Sequence, residues 1–167
     1  VFLDESGCNT DMTRRYAYSL GGSRAIDSAP LSKPKNTTIL SSIQLDGTLR
    51  YTTFSGGTTV ERFKRYLETD LLPHLNENSV LIMDNMKLHH AKAVKNLLDS
   101  SGVRYIYLPP YSPDLNPIEK LWSKVKAFLR KFKARTLDAL PNAIQNAFHS
   151  VTISDCSGWF RFCGYAL

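Results

Sequence analysis

Cysteine is scarce in this chain, long hydrophobic runs are missing, and acidic side chains are outnumbered by basic ones. The 167 residues hold three cysteines, Cys8, Cys156 and Cys163. An odd count gives no disulfide framework and fits a reducing compartment. Cys156 and Cys163 have no second pair and no nearby His, so their spacing points to small buried thiols rather than zinc. No run approaches the roughly 18 apolar residues that cross a membrane. There is no internal repeat or low-complexity tract. No initiator Met is present, which reads as a fragment or a chain whose N-terminal part is not included. No leader is visible either, because the first residues already read as a buried strand. The length fits one domain spanning 1–167, and 43% apolar content is ordinary for a packed core.

What is present is base, and it is unevenly placed. The net charge is +6. Residues 1–83 are balanced at nine basic and nine acidic side chains, whereas residues 84–167 hold twelve basic against six acidic. Residues 115–135 alone carry seven basic side chains and one acid, Glu119. So local an excess is the footprint expected for a polyanion, although a solvated helix face would look similar.

The pattern of apolar residues predicts an α/β chain. Residues 1–4 read as a short buried strand, and Tyr16 to Leu20 alternates like another. Residues 23–36 read as a loop. Thr38 to Leu45 and Leu49 to Phe54 flank Asp46-Gly47, a strong hairpin signal. Thr58 to Glu61 has capping-box spacing ahead of a helix carrying Val60, Phe63, Leu67 and Leu71, with Pro73 at its end. Ser79 to Met83 reads as a strand buried on both faces. Ala91 to Leu98 reads as a helix stopped by Gly102, Val103 to Leu108 as a strand, and about 117–133 and 139–150 as helices. The order β-β-β-α-β-α-β-α predicts a mixed sheet flanked by helices on both faces. The first strand and the one after the first helix would then lie side by side, with a site at their C-terminal ends.

Three carboxylates sit where such a fold would gather them. Asp4 and Asp84 each end an apolar run, and Glu119 opens the basic helix. Carboxylates repel one another unless a cation lies between them, and an oxygen-only set suits Mg²⁺ or Mn²⁺. Each acid has a plainer reading. Asp4 would start a turn with Gly7, and Asp84 would make an Asx turn. Glu119 would close a capping box over Asn116-Pro117-Ile118. Ile118, Leu121, Trp122, Val125, Phe128, Leu129 and Phe132 form one apolar face of the helix that Glu119 opens, about 117–133. Glu119 lies off that face, in line with Ser123, Lys126, Arg130 and Lys133, so the acid heads a stripe of cations. His89 and His90 follow Asp84 closely. His90 reads as structural, while His89 has a functional reading as a contact to water or phosphate.

These residues resemble a known family. Leu3-Asp4-Glu5-Ser6-Gly7, then Met83-Asp84-Asn85 with His89, then Leu108 to Glu119 (LPPYSPDLNPIE) with Trp122 and Lys126, are similar to the catalytic domain of bacterial IS630-type transposases of the Tc1/mariner superfamily. The 34 residues between Asp84 and Glu119 match that superfamily's spacing. The resemblance implies an RNase H-like fold and a catalytic triad of Asp4, Asp84 and Glu119 holding Mg²⁺ or Mn²⁺ as two ions. Glu5, Asn85 and His89 fall near the site. Lys120, Lys124, Lys126, Arg130 and Lys133 would bind DNA. The implied reaction is cut-and-paste transposition, with cleavage at element ends followed by 3′-hydroxyl attack on target DNA. Implied partners are transposon ends, target DNA and a second copy in the active complex, with no membrane and no small-molecule substrate. The implied location is the cytoplasm, at the nucleoid. Met86-Lys87 departs from the small or polar residues expected after Asp-Asn. No helix-turn-helix like the family's N-terminal DNA-reading domains is apparent. Two other readings are an RNase H-like nuclease without strand transfer, and a truncated DNA-binding remnant.

Overall fold

The Asp46-Gly47 turn joins β2 (Thr37–Ile43) to β3 (Leu49–Ser55) as an antiparallel hairpin. Gly47 takes φ 89°, and a Cβ there would meet Ile153 at 2.8 Å, so both backbone and packing require glycine. The structure, a computed structural model, describes residues 1–14, 16–28, 30 and 34–165. β1 (Phe2–Cys8), β4 (Val80–Met83) and β5 (Arg104–Tyr107) complete a five-stranded sheet in the order β3-β2-β1-β4-β5. β1 pairs antiparallel with β2 along its whole length. It pairs parallel with β4 only through Phe2–Ile82 and Leu3–Met83, and β4 pairs parallel with β5.

Helices cover both faces. Phe2, Ile39 and Ile43 pack against α3 (Ile118–Phe132), α4 (Leu140–His149) and α5 (Ile153–Phe162). Leu3, Leu40, Leu81 and Met83 pack against α1 (Val60–Tyr66), its wider-wound continuation Leu67–Leu71, and α2 (Lys92–Ser101). Side chains alternate along a strand. Phe2 and Asp4 therefore face the α3 layer, while Leu3 and Glu5 face the α1–α2 layer. The expected mixed sheet with helices on both faces is the architecture seen. No helix among the described residues is long and apolar enough to cross a membrane.

Several local expectations need correction. Tyr16 to Leu20 is not a strand; no neighbour among the described residues pairs with it, and Tyr16 and Tyr18 are fully exposed. β1 runs on to Cys8, so Asp4 sits mid-strand rather than at a turn. Thr59, not Thr58, caps α1, its hydroxyl accepting from the Arg62 N–H at 3.3 Å. Phe132 leaves the apolar face and is exposed. The described part of the 23–36 loop is irregular, and its residues 29 and 31–33 lie outside the described residues. α5 was not anticipated. Thr152 and Asp155 form its capping box, and Cys156 and Phe160 anchor it.

α3 matters most to the site. It starts at Ile118 without any side-chain cap. Asn116 is buried with its Oδ1 unpartnered, so the expected capping box is not formed. The missing cap forgoes about 1 kcal/mol. Burying Ile118, Leu121, Trp122, Val125 and Leu129 contributes roughly 1.5–3 kcal/mol for each fully buried aliphatic side chain, which holds the helix against the sheet regardless.

A candidate metal centre at the sheet edge

The short β1–β4 pairing positions the first two acids. Leu3 lies beside Met83 in parallel register, so Asp4 and Asp84 are the next residues along, where the two strands part. The segment Leu108–Glu119 brings the third acid to the same place. Asp4, Asp84 and Glu119 line one cleft of about 380 Å³, with Asn85, Met86, Asn116 and the wall Leu108–Pro113. No Lys or Arg among the described residues lines it.

The three carboxylates differ in their surroundings. Asp4 is 7% exposed. Its Oδ1 accepts the Glu5 N–H at 2.7 Å, and its Oδ2 accepts the Trp122 indole N–H at 3.0 Å. Burial nevertheless pushes its pKa up to about 7, the charges of Glu5 and Asp84 add to that, and the two hydrogen bonds only moderate it. A carboxylate so placed lacks a compensating positive charge. Asp84 is half-buried. Burial would raise its pKa, but His89 and the Met86 N–H outweigh that and hold it below the usual range. Its Oδ1 accepts the Met86 N–H at 3.1 Å, which is the expected Asx turn, and forms an ion pair with His89 Nδ1 at 2.8 Å, while the same Nδ1 hydrogen-bonds the Asp84 main-chain carbonyl at 3.2 Å. Glu119 is exposed, and its carboxylate makes no hydrogen bond or ion pair among the described residues.

His89 lies between Glu5 and Asp84 and packs on α1. It is 0% exposed, stacked on Phe63 at 4.5 Å between ring centres, with Nε2 3.3 Å from Glu5 Oε2. That last contact is an ion pair without hydrogen-bond geometry, since both Glu5 oxygens and His89 Nε2 are buried without a hydrogen-bond partner. Burial disfavours the charged ring, yet Asp84 and Glu5 on either side push its pKa up to about 10. Glu5 and His89, expected near the site, thus support Asp84 from behind. Asn85 lines the cleft, its Oδ1 held by His90 Nε2. Trp122, assigned from sequence to the apolar face, also orients Asp4. A buried indole N–H needs an acceptor, which was the signal available.

The donor set suits a hard divalent cation: carboxylate oxygens facing a cleft without basic side chains, one of them buried and starved of positive charge. Among the described residues, however, no three His, Cys, Asp or Glu side chains are gathered tightly enough to grip an ion. The expected convergence is therefore a shared cleft rather than a closed cage. Glu119, on the exposed first turn of α3, is the acid whose carboxylate no bond among the described residues ties down.

The basic residues divide. Lys120 lies over the Phe162 ring at 4.0 Å, and Lys124 pairs with Asp155, so both face α5. Lys133 pairs with Asp27 at 2.6 Å. Lys126 and Arg130, in line with Glu119, have no ion-pair partner among the described residues.

The chain resembles known proteins in sequence and in fold. Residues 1–141 match a family model described as DDE superfamily endonuclease. The transposable element Tc1 transposase of Caenorhabditis elegans is 30% identical over 97 residues, which is 56% of this chain and 36% of that protein. The chain thus matches about a third of that relative's length. A Mos1 transposase paired-end complex with the left transposon end superposes with a TM-score of 0.79 at 18% identity, over 96% of this chain and 50% of that one. The Mos1 catalytic domain with raltegravir and Mg gives 0.70 at 17%, over 96% and 75%. The fold these structures share with the chain is the RNase H-like α/β architecture.

Proposed function

The chain belongs to the DDE superfamily endonucleases, and we propose that it cuts DNA at element ends and joins the freed 3′-hydroxyl to target DNA in cut-and-paste transposition. The observation that carries this reading is the cleft itself, at the C-terminal end of β4 and the head of α3, which among the described residues is lined by three acids and no Lys or Arg. Asp4, Asp84 and Glu119 would hold Mg²⁺ or Mn²⁺, as two ions. When bound, such ions supply Lewis-acid activation of the attacking oxygen and steady the charge at the scissile phosphate. The protein's own part is positional. Trp122 and the Glu5 N–H aim Asp4, His89 aims Asp84, and α3 carries Glu119 to the open side. Each chemical step is an in-line displacement at phosphorus, first by water and then by the 3′-hydroxyl. The Mos1 structures named for transposon ends and for Mg support DNA and a divalent cation as the ligands here. A second copy in the active complex and a location at the bacterial nucleoid belong to the same proposal. The DNA-reading part would lie outside the catalytic domain at 1–167.

The test is nicking of supercoiled plasmid. Cleavage is expected with Mg²⁺ or Mn²⁺ and none after chelation. Cleavage that survives chelation would contradict the proposal.

DNA binding is expected to be largely indifferent to sequence, because phosphate contacts position a protein without reading bases. Lys126 and Arg130 are the stripe's unpaired cations, whereas Lys133 must first leave Asp27. Replacing Lys126 and Arg130 with Ala should flatten the slope of log affinity against log salt by roughly two units on duplex DNA. Salt titrations on two unrelated duplexes measure this. An unchanged slope would make the stripe an ordinary solvated face, and a loss on one duplex alone would mean that α3 reads bases.

A further inference from the structure

We propose that His90 is a positioning residue: it turns the Asn85 amide so that its N–H groups donate to a phosphate oxygen of DNA in the cleft. The assignment rests on the reading of the cleft as a DNA-cutting site and adds to it a neutral phosphate donor and the group that orients it.

The make-up of the cleft calls for such a donor. Three acids line it, and among the described residues no Lys or Arg does. A basic side chain there would pair with the acids and compete with a metal ion for them. A neutral amide does neither, yet its N–H still makes a strong hydrogen bond to a charged phosphate oxygen. Among the described residues two amide side chains line the cleft, Asn85 and Asn116. Asn116 is buried, whereas Asn85 is exposed and open to a ligand.

His90 decides which end of the Asn85 amide is left free. Its Nε2–H donates to Asn85 Oδ1, the one side-chain hydrogen bond that His90 makes among the described residues. The amide oxygen is thereby engaged, and the two N–H of Nδ2 have no partner among the described residues. The imidazole is itself held in place. It lies against Tyr107 at 4.1 Å between ring centres, and the Tyr107 hydroxyl donates to the His89 carbonyl at 3.0 Å. Tyr107 pairs with Met83 in the β4–β5 register, so this support stands one residue before Asp84. Between Asn85 and His90 the chain winds tightly. The His89, His90 and Ala91 N–H groups donate to the Met86, Lys87 and Leu88 carbonyls, which brings His90 back to Asn85. An exposed asparagine loses rotamer freedom when it binds a ligand, and a bond already made to a fixed ring removes that loss beforehand. Unlike His89, His90 pairs with no acid among the described residues, so its bond to Asn85 is not part of the Glu5–Asp84 charge cluster.

The test is single-turnover nicking of supercoiled plasmid with Mg²⁺ by wild type, N85A, H90F, H90Q and the N85A/H90F double variant. N85A should be roughly 10- to 100-fold slower, the worth of one hydrogen bond to a charged group. H90F keeps a ring against Tyr107 but has no donor, and should be roughly 2- to 10-fold slower, the cost of ordering one freed side chain. H90Q restores a donor and should recover most of that rate. The double variant should be no slower than N85A, because His90 acts only through Asn85. Calorimetric Mn²⁺ affinity of N85A should match wild type, because the amide donates to phosphate and does not ligate the metal. N85A or H90F nicking as fast as wild type, losses that multiply in the double variant, or H90Q no faster than N85A would overturn the assignment. So would an Mn²⁺ affinity that falls in N85A, since the amide oxygen would then face the metal. The N85A and H90Q results decide the matter even if H90F does not fold. Wild type that nicks no DNA would instead bring down the reading of the cleft, and this assignment with it.

Discussion

Glu119→Gln should abolish metal-dependent DNA cleavage and leave the melting temperature nearly unchanged. The carboxylate makes no hydrogen bond or ion pair among the described residues, and the capping box that would have tied it to Asn116 is absent. Only the attraction of a negative charge to the helix N-terminus is lost, about 0.3–1 kcal/mol on an exposed turn. Glutamine keeps the shape but is a poor ligand for a hard divalent cation. Metal stabilisation of the transition state is worth several kcal/mol, and each decade of rate is about 1.4 kcal/mol, so the loss should reach roughly a thousandfold. Plasmid nicking and a thermal melt on the same preparation measure both. A folded Glu119→Gln protein with full activity would remove Glu119 from the chemistry.

His89→Ala should damage both stability and metal binding. The ring is fully buried between Asp84 and Glu5 and forms an ion pair with each. Removing one partner from a buried charge cluster costs about 3–5 kcal/mol, because the others stay buried and uncompensated. Loss of a group that orients a metal ligand typically lowers metal affinity about 10- to 100-fold. The pH dependence has a definite sign. His89 is raised from 6.5 to about 10 in the folded state, so its contribution is fully present below pH 6.5 and disappears as pH rises through 10. Wild type in chelator should therefore lose stability between pH 7 and 10, and His89→Gln should show a flatter profile over that window. Denaturant unfolding at several pH values, with calorimetric Mn²⁺ titration of both variants, measures the two effects. A His89→Ala protein as stable as wild type with unchanged Mn²⁺ affinity would reduce the buried cluster to ordinary packing.

Much of this site is legible in the sequence because it is built from local signals. The apolar run Val80–Met83 ends on Asp84, and Pro-rich residues lead straight into Glu119. The hairpin at Asp46-Gly47 and the helix stop at Gly102, with φ 72°, are likewise local. What escapes is non-local. Glu5 and His89 are far apart in the chain and meet only because β1 pairs with β4, and no spacing rule reports that. Tyr16 to Leu20 alternates like a strand, but alternation without a neighbour to bond forms none. Asn116 has the identity of a cap, yet it is buried rather than capping. α5 is ten residues long with Gly158 inside it, and its capping box is the one cue, easily passed over without knowledge that Ile153 packs on Gly47. Asp4 was placed by its apolar run, but the strand continues past it because β2 supplies seven residues of pairing.

The central claim is that Asp4, Asp84 and Glu119 hold the divalent cation. Anomalous diffraction from crystals grown with Mn²⁺ tests it most directly. The account predicts a peak in the cleft within about 2–2.5 Å of oxygens from Asp4 and Asp84, with Glu119 drawn in to the same ion or to a second one beside it. A peak bound elsewhere, in a protein that cuts DNA with Mn²⁺, would contradict it.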